Sequence, residues 1–225
     1  MIDKKIKELE KQLKITFKNK ELLKEALTHR SYAYLTGKQS NERLEFLGDS
    51  ILNLIVSTYL YDKHSNENEG VLTQLKSNIV NSKALFSFAR KLNLGKYIFL
   101  GKEEESKGAR TLPSILANTF EAVIGALYKD QGLERTKIFV VSLIKKSKIS
   151  VKPNAKSLLQ ELVQKHYRSL PEYSIVKEAG PDHCKSFTVT VKINKKVFGI
   201  GEGKSKKEAE INAADKALMK IKRLI

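Results

Sequence analysis

The sequence predicts two domains, an all-α domain followed by a small α+β domain, and three observations support this prediction. Up to about residue 147, apolar residues recur at the helical spacings of three and four, and strand patterns are nearly absent. From residue 155 the pattern is one helix, three strand-like runs and a second helix. Residues 148–154 between them are basic and polar, and they contain Pro153. We therefore expect domains over 1–147 and 155–225, joined by a linker over 148–154.

The helices of the first domain are predicted from a capping residue and from apolar spacing. Asn19 is a suitable N-cap for a helix over Lys20–Leu27. A further helix begins after Pro113, a residue that favours the first turn. The helices predicted after the first one are Leu44–Leu60, Leu72–Val80, Ser82–Leu92, Ser114–Tyr128 and Leu133–Ile144.

The second domain is predicted to have the order α-β-β-β-α, with two helices covering one face of a sheet. The helices are Ala155–Tyr167 and Lys206–Ile221, and the turn Asn194-Lys195 separates the last two strands. The strand-like runs are Tyr173–Lys177, Phe187–Ile193 and Lys196–Gly201. The residues expected on the apolar helix faces are Leu159, Leu162, Val163 and His166, followed by Ala213, Ala214, Ala217, Leu218 and Ile221.

The composition favours a nucleic-acid partner in a reducing compartment. The net charge is +17, with 27 basic and 17 acidic residues before residue 155, and 15 and 8 from there on. Two basic halves indicate a polyanion, and nucleic acid fits better than a membrane because no basic amphipathic helix has a bulky aromatic face. No run reaches the length of a membrane span, and the N-terminus lacks a signal-peptide core. The single Cys184 excludes an internal disulfide and a cysteine-based zinc site, so we expect a cytoplasmic protein.

Three carboxylates interrupt the apolar helix that begins near residue 44. Glu42, Glu45 and Asp49 are spaced by three and four residues, so they share one helical face. Like charges at this spacing repel each other, and a divalent cation would neutralise them. Hard oxygen ligands of this kind suit magnesium or manganese. The alternative is a solvated acidic stripe on an amphipathic helix.

A second helix carries polar groups that could complete the same site. Asn118 and Glu121 are three residues apart on the apolar helix Ser114–Tyr128, so they also share a face. Two apolar helices that each present oxygen atoms are expected to pack with those faces converging. The alternative is that Asn118 is a buried amide and Glu121 a surface charge. Convergence would place Glu45, Asp49, Asn118 and Glu121 around a centre for metal-assisted phosphodiester hydrolysis.

The start of the last helix combines a capping box with lysines. Ser205 and Glu208 have the Ser-x-x-Glu spacing, and Lys204, Lys206 and Lys207 surround the helix N-terminus. Cations oppose the helix dipole there, so this pattern favours a phosphate site, whereas the alternative is a lysine-rich solvated end. The preceding glycines imitate a nucleotide-binding loop, but the first glycine of that motif would fall at Phe198. We therefore expect no nucleotide cofactor.

Two sequence segments resemble known families. Residues 41–50, Asn-Glu-Arg-Leu-Glu-Phe-Leu-Gly-Asp-Ser, resemble the signature of the ribonuclease III family. Gly-Pro-Asp-His at 180–183, followed by Gly-x-Gly-x-Ser-Lys-Lys-Glu-Ala-Glu at 201–210, resembles the double-stranded-RNA-binding domain. The resemblance extends over nearly the whole chain. It implies an all-α endonuclease domain followed by an α-β-β-β-α double-stranded-RNA-binding domain.

The ribonuclease III resemblance implies a catalytic metal centre at Glu45, Asp49, Asn118 and Glu121, with Mg²⁺ as the ion and Mn²⁺ as a substitute. The family pattern has Asp where this chain has Asn118, which brings no charge, so weaker metal affinity is expected. The outer acidic residues of the cleft would be Glu42 and Glu69. The resemblance also implies a homodimer in which Phe46 inserts into a pocket of the second subunit, where spacing alone favours a core aromatic residue.

The same resemblance implies how RNA would be bound and cut. Minor grooves of the duplex would meet Gln160, Glu161 and the His183 loop, and phosphates would meet Lys204, Lys206 and Lys207. The products would carry 5′-phosphate and 3′-hydroxyl ends with two-nucleotide 3′ overhangs, and the substrates would include ribosomal RNA precursors, messenger RNAs and other duplex RNAs. One alternative is a double-stranded-RNA-binding protein with a decayed nuclease domain, which Asn118 favours. Another is a ribosome-associated structural protein.

Overall fold

The computed structural model describes residues 2–147, 155–181 and 185–221. The chain divides into two compact units, a helical unit built mostly from residues up to 147 and an α+β unit built mostly from residues after 155. The predicted linker, 148–154, lies outside the described residues. Within the described ranges, no helix is both long enough and apolar enough to cross a membrane.

The helical unit confirms the all-α prediction. Its helices are α1 (Ile2–Leu13), α2 (Lys20–Ala26), α3 (Arg30–Thr36), α4 (Glu42–Lys63), α5 (Glu69–Val80), α6 (Ser82–Lys91), α7 (Lys102–Ser106) and α8 (Pro113–Lys146). Asn19 caps α2 as predicted, because its side chain accepts a hydrogen bond from the Glu21 backbone N–H at 3.0 Å.

Two features of the helical unit differ from the sequence prediction. The helices α1, α3 and α7 were not predicted, although α1 buries Ile6, Leu9 and Leu13 at helical spacing. The two helices predicted over 114–144 are joined in α8, which is interrupted at Gly132. Gly132 has φ 79° and ψ −177°, a conformation that other residues rarely adopt, so the chain changes direction there without a loop.

The α+β unit has the predicted order. It contains α9 (Ala155–Tyr167), β1 (Glu172–Ala179), β2 (Ser186–Ile193), β3 (Lys196–Gly203) and α10 (Lys206–Ile221). The strands form one antiparallel sheet in the order β1-β2-β3. The predicted Asn194-Lys195 turn joins β2 to β3, and both residues have positive φ, as tight hairpins with right-handed twist require.

The helices and the sheet of this unit share one core. Leu159 and Val163 of α9 are fully buried with the predicted alanines of α10 and with Val189 and Val191 of β2. The prediction for His166 was wrong, because His166 is exposed. The next residue, Tyr167, packs against the core instead and places its ring 5.8 Å from that of Phe198.

The glycines of β3 allow α10 to approach the sheet closely. A Cβ atom on Gly199 would lie 2.2 Å from the Ala213 carbonyl oxygen, and one on Gly201 would lie 2.1 Å from the Ala213 nitrogen. Both distances are far below van der Waals contact, so only glycine fits at these positions. Gly201, one of the glycines that imitate a nucleotide-binding loop, therefore has a packing function.

Candidate metal centre and RNA-binding surface

Two glycines bring helices α4 and α8 into backbone contact at the predicted acidic site. A Cβ atom on Gly48 would lie 1.8 Å from the Glu121 carbonyl oxygen, and one on Gly125 would lie 2.2 Å from the Leu44 carbonyl oxygen. Because neither glycine has a side chain, the helices cross closely at this point. The crossing places the acidic face of α4 against the first half of α8.

The three carboxylates of the predicted centre interact electrostatically. Partial burial, followed by the charges of Asp49 and Glu45, raises the pKa of Glu121 to about 7. The pKa of Glu45 is also raised, chiefly by burial. Both shifts show that the native arrangement disfavours ionised carboxylates unless positive charge is present. A divalent cation would neutralise the charges of these carboxylates.

Asn118 lies beside Glu45 on the facing helix. Its side chain lowers the pKa of the Glu45 carboxyl through a hydrogen-bond interaction, which partly offsets the effect of burial. Asn118 is exposed, so the alternative of an amide buried in the bundle is wrong. An amide oxygen at this place can bind a cation but adds no negative charge.

The chemistry of these donors fits a hard divalent ion, although the side chains are not arranged around one. Among the described residues, no three His, Cys, Asp or Glu side chains form a group that could hold a metal ion as they stand. Asp49 accepts a hydrogen bond from the Asn53 amide at 2.8 Å, and it is exposed. Glu45, Asp49 and Glu121, together with the Asn118 amide, are the residues that would hold the ion.

A polar cleft of about 340 Å³ adjoins this cluster. Glu42, Glu45 and Asn118 line it. Burial and the neighbouring Arg30 charge lower the pKa of His29, which keeps the imidazole neutral at lower pH than usual. The residues of this cleft that the sequence prediction missed are His29, Arg30, Asn41, Glu104, Leu112, Ser114 and Ile115.

Two other predicted residues have different surroundings. Glu69 begins α5, is exposed, and accepts a hydrogen bond from the Thr73 hydroxyl at 2.8 Å. Its membership of the cleft stays a prediction. Phe46 is 79% exposed on α4, next to Glu45, so it is not the core aromatic residue that spacing alone favoured.

The predicted RNA-binding residues of the α+β unit lie on its surface. Gln160 and Glu161 are exposed on α9. The Ser205 hydroxyl accepts a hydrogen bond from the Glu208 N–H at 3.2 Å, and Glu208 accepts one from the Lys204 N–H at 2.7 Å. The capping box is therefore formed, but Glu208 reaches one residue further back than usual.

The lysines at the start of α10 are exposed around this cap. They are Lys204, Lys206 and Lys207, and the Lys206 amine lies 5.7 Å from the centre of the Phe187 ring. Exposed cations at a helix N-terminus favour a phosphate partner. The remaining predicted contact, His183, lies outside the described residues.

These features define a helical domain with an acidic site, followed by a domain of the double-stranded-RNA-binding type, and comparisons with known proteins agree. Residues 19–148 match the family described as Ribonuclease-III-like, and residues 155–221 match the double-stranded RNA binding motif. Ribonuclease 3 of Nitratiruptor sp. is 43% identical over 97% of this chain and 98% of its own length. Ribonuclease 3 of Geobacillus sp. is 47% identical over 97% of this chain and 92% of its own length.

A solved structure agrees with the helical unit. The nuclease domain of Ribonuclease III from Campylobacter jejuni is 42% identical, with a TM-score of 0.61, over 64% of this chain and 98% of that domain. This chain therefore belongs to the ribonuclease III family. It is an endoribonuclease with a domain that binds double-stranded RNA. The family is generally dependent on divalent metal ions.

The sequence contained signals for some of the residues that the prediction missed. Gly48 and Gly125 interrupt apolar helices, and an isolated glycine in a helix indicates close packing. Asn53 follows Asp49 by four residues, which places it within hydrogen-bond reach on the same helix. No local pattern indicated that His29 and Arg30 would face the acidic cluster, because they come from a separate helix start.

Proposed function

We propose that this endoribonuclease cleaves double-stranded RNA with Mg²⁺, or Mn²⁺ as a substitute, held by Glu45, Asp49, Asn118 and Glu121. The observation that carries the proposal is the cluster of three carboxylates from α4 and α8, in which burial, followed by the charges of Asp49 and Glu45, raises the pKa of Glu121 to about 7. Carboxylate oxygens in this environment bind hard divalent cations. The bound ion would polarise the scissile phosphoryl group and activate water.

The residues of the centre have different tasks in this proposal. Glu121 and Glu45 are partly buried, and their carboxylates would hold the ion. Asp49 is exposed and accepts a hydrogen bond from Asn53, which it would give up to bind the ion. Glu42 lies in the adjoining cleft, where its charge adds to the larger effect of burial on the pKa of Glu45. We assign Glu69 to the outer acidic residues on the family resemblance alone.

We infer that two copies of the chain form the active species, with Phe46 at their contact. The exposed position of Phe46, beside the Glu45 ligand, supports this inference. The nuclease domain from Campylobacter jejuni has a structurally flexible region that is involved in dimer formation. A dimer would carry two centres, one for each RNA strand. Staggered cleavage would then leave two-nucleotide 3′ overhangs with 5′-phosphate and 3′-hydroxyl ends.

We propose that the α+β unit holds the duplex by shape and charge. Gln160 and Glu161 of α9 would contact a minor groove, and the His183 loop the next one. The lysines at the start of α10 would contact the phosphates between them. Ribosomal RNA precursors and other structured RNAs of the cytoplasm are the proposed substrates.

The proposed function is tested with a labelled, fully paired RNA of about 50 base pairs, a length that exceeds the roughly 16 base pairs contacted by one binding domain. We expect short staggered duplex products with Mg²⁺ and none with EDTA. End labelling checks the 5′-phosphate, the 3′-hydroxyl and the overhang. A duplex that stays bound but uncut at every Mg²⁺ and Mn²⁺ concentration would instead select the second candidate, an RNA-binding protein disabled at Asn118.

The Asn118→Asp variant is expected to need less magnesium. An added carboxylate attracts the ion, so the Mg²⁺ concentration for half-maximal cleavage should fall on the order of tenfold, with an equal or higher maximal rate. Without metal, the variant loses the amide beside Glu45 and gains a like charge, so its melting temperature should fall. Cleavage rates over a Mg²⁺ titration and melting curves in EDTA measure both effects. Loss of cleavage in this variant would contradict the proposed role of Asn118.

A further inference from the structure

The helical unit has an apolar groove that the nuclease reaction does not use. It has a volume of about 330 Å³ and lies between the end of α1, the end of α6 and the part of α8 that follows Gly132. Asn118 and Glu121 precede that break in α8. The apolar side chains that line the groove include Leu13, Ile15, Phe88, Ile138, Phe139 and Leu143.

The groove exposes apolar surface that the core of the unit does not cover. Phe139 faces the core and is 7% exposed, whereas Ile138 on the same turn is 60% exposed. Leu143, further along α8, is half-buried. Burying an isoleucine or leucine side chain is favourable, so this surface gains free energy from a partner that covers it.

Cations surround the apolar lining. Lys14, Lys91, Arg135 and Lys146 line the groove and are exposed. None of these four cations forms an ion pair with a carboxylate of the described residues; the ion pairs among those residues involve other lysines and Arg110. Lys91 and Lys146 also line an adjoining open depression with Lys83. The surface therefore combines an apolar floor with exposed cations at its rim.

We propose that this groove binds an acidic amphipathic helix of a partner protein. Leucine or isoleucine residues at positions i, i+4 and i+7 would cover the floor, and glutamates beside them would pair with the rim. An RNA backbone would engage the cations but would leave the apolar floor uncovered. A contact between two such grooves is disfavoured because each copy would bring the same four cations to it.

The proposal is tested by fluorescence anisotropy with the full chain and designed probes. The probe is a helical peptide with a leucine stripe and flanking glutamates, and a peptide of the same composition with the stripe scrambled is its control. We expect the striped peptide to bind, and we expect added salt to weaken this binding. Ile138→Glu and Lys146→Glu should each weaken binding at least about tenfold, because each removes one of the two kinds of contact.

Matched variants separate the groove from the rest of the helix. Leu133→Glu and Lys145→Glu change exposed residues of the same part of α8 that do not line the groove, so they should bind the striped peptide like the unaltered chain. Absence of binding, or equal binding of striped and scrambled peptides, would overturn the proposal. It would also be overturned if Ile138→Glu and Lys146→Glu weakened the binding of an RNA duplex but left the binding of the peptide unchanged.

Discussion

Glu121→Gln is expected to reduce cleavage of duplex RNA by at least about 100-fold while leaving duplex binding intact. A metal ion that acts as a Lewis acid contributes several kcal/mol, and each 1.4 kcal/mol or so corresponds to a tenfold change in rate. Glutamine keeps the shape of the side chain but removes the charge that would hold the ion. Single-turnover cleavage and gel retardation measure the two properties. Glu134→Gln, an exposed position further along α8, is the matched control and should cleave normally.

Glu121→Gln should also be more stable than the unaltered chain when metal is absent. The pKa of Glu121 is about 7 in the folded protein, above its ordinary value of 4.5, so the unfolded chain releases this proton at lower pH. The ionised carboxylate therefore destabilises the fold increasingly between pH 4.5 and 7, and fully above that. In EDTA, Glu121→Gln should have the higher melting temperature at pH 8, and the difference should vanish near pH 4.5.

Magnesium should reverse this order, because an ion that binds only the folded state of the unaltered chain stabilises it. Thermal unfolding followed by circular dichroism at pH 8, with EDTA and with Mg²⁺, compares the two proteins. If the unaltered chain were the more stable one in EDTA at pH 8, Glu121 would not lie in the repulsive environment described above.

Gly48→Ala is expected to destabilise the nuclease domain by about 3 kcal/mol, the upper part of the usual range for overpacking. The new Cβ atom would lie 1.8 Å from the Glu121 carbonyl oxygen, so α4 and α8 must separate. For a chain of this size the melting temperature should fall by roughly 6–12 °C. At temperatures below the melting transition, cleavage should also be slower, because separating the helices moves Glu45 and Asp49 away from Glu121.

The control for this prediction is Gly70→Ala in α5. There the nearest atom to a new Cβ is the Asn68 side-chain oxygen at 3.4 Å, an ordinary contact, so alanine should be neutral or slightly stabilising. Gly125→Ala should behave like Gly48→Ala, since its Cβ would meet the Leu44 carbonyl oxygen at 2.2 Å. Unchanged melting and cleavage in Gly48→Ala and Gly125→Ala would show that neither stability nor activity requires the close helix crossing.

Much of the fold and the composition of the candidate site followed from local sequence patterns. The spacing of Glu45 and Asp49, and of Asn118 and Glu121, placed each pair on one face of its helix, because helix geometry fixes which residues share a face. Asn19 and the Asn194-Lys195 turn could be predicted because capping and tight turns depend on a few neighbouring residues. The short helix α3 was not predicted, although Gly37 follows its last residue, Thr36, as the C-cap.

Distances between elements were decided by the tertiary structure alone. Gly48 meets the Glu121 carbonyl although the two are far apart in sequence, and no local pattern specifies how closely two helices cross. The pKa of Glu121, the placement of Arg30 at the cleft and the exposure of Phe46 and Ile138 all follow from that packing. The sequence by itself determined which residues each helix and strand presents. The tertiary structure decided which of them meet, because burial and Coulomb interaction depend on distance through space.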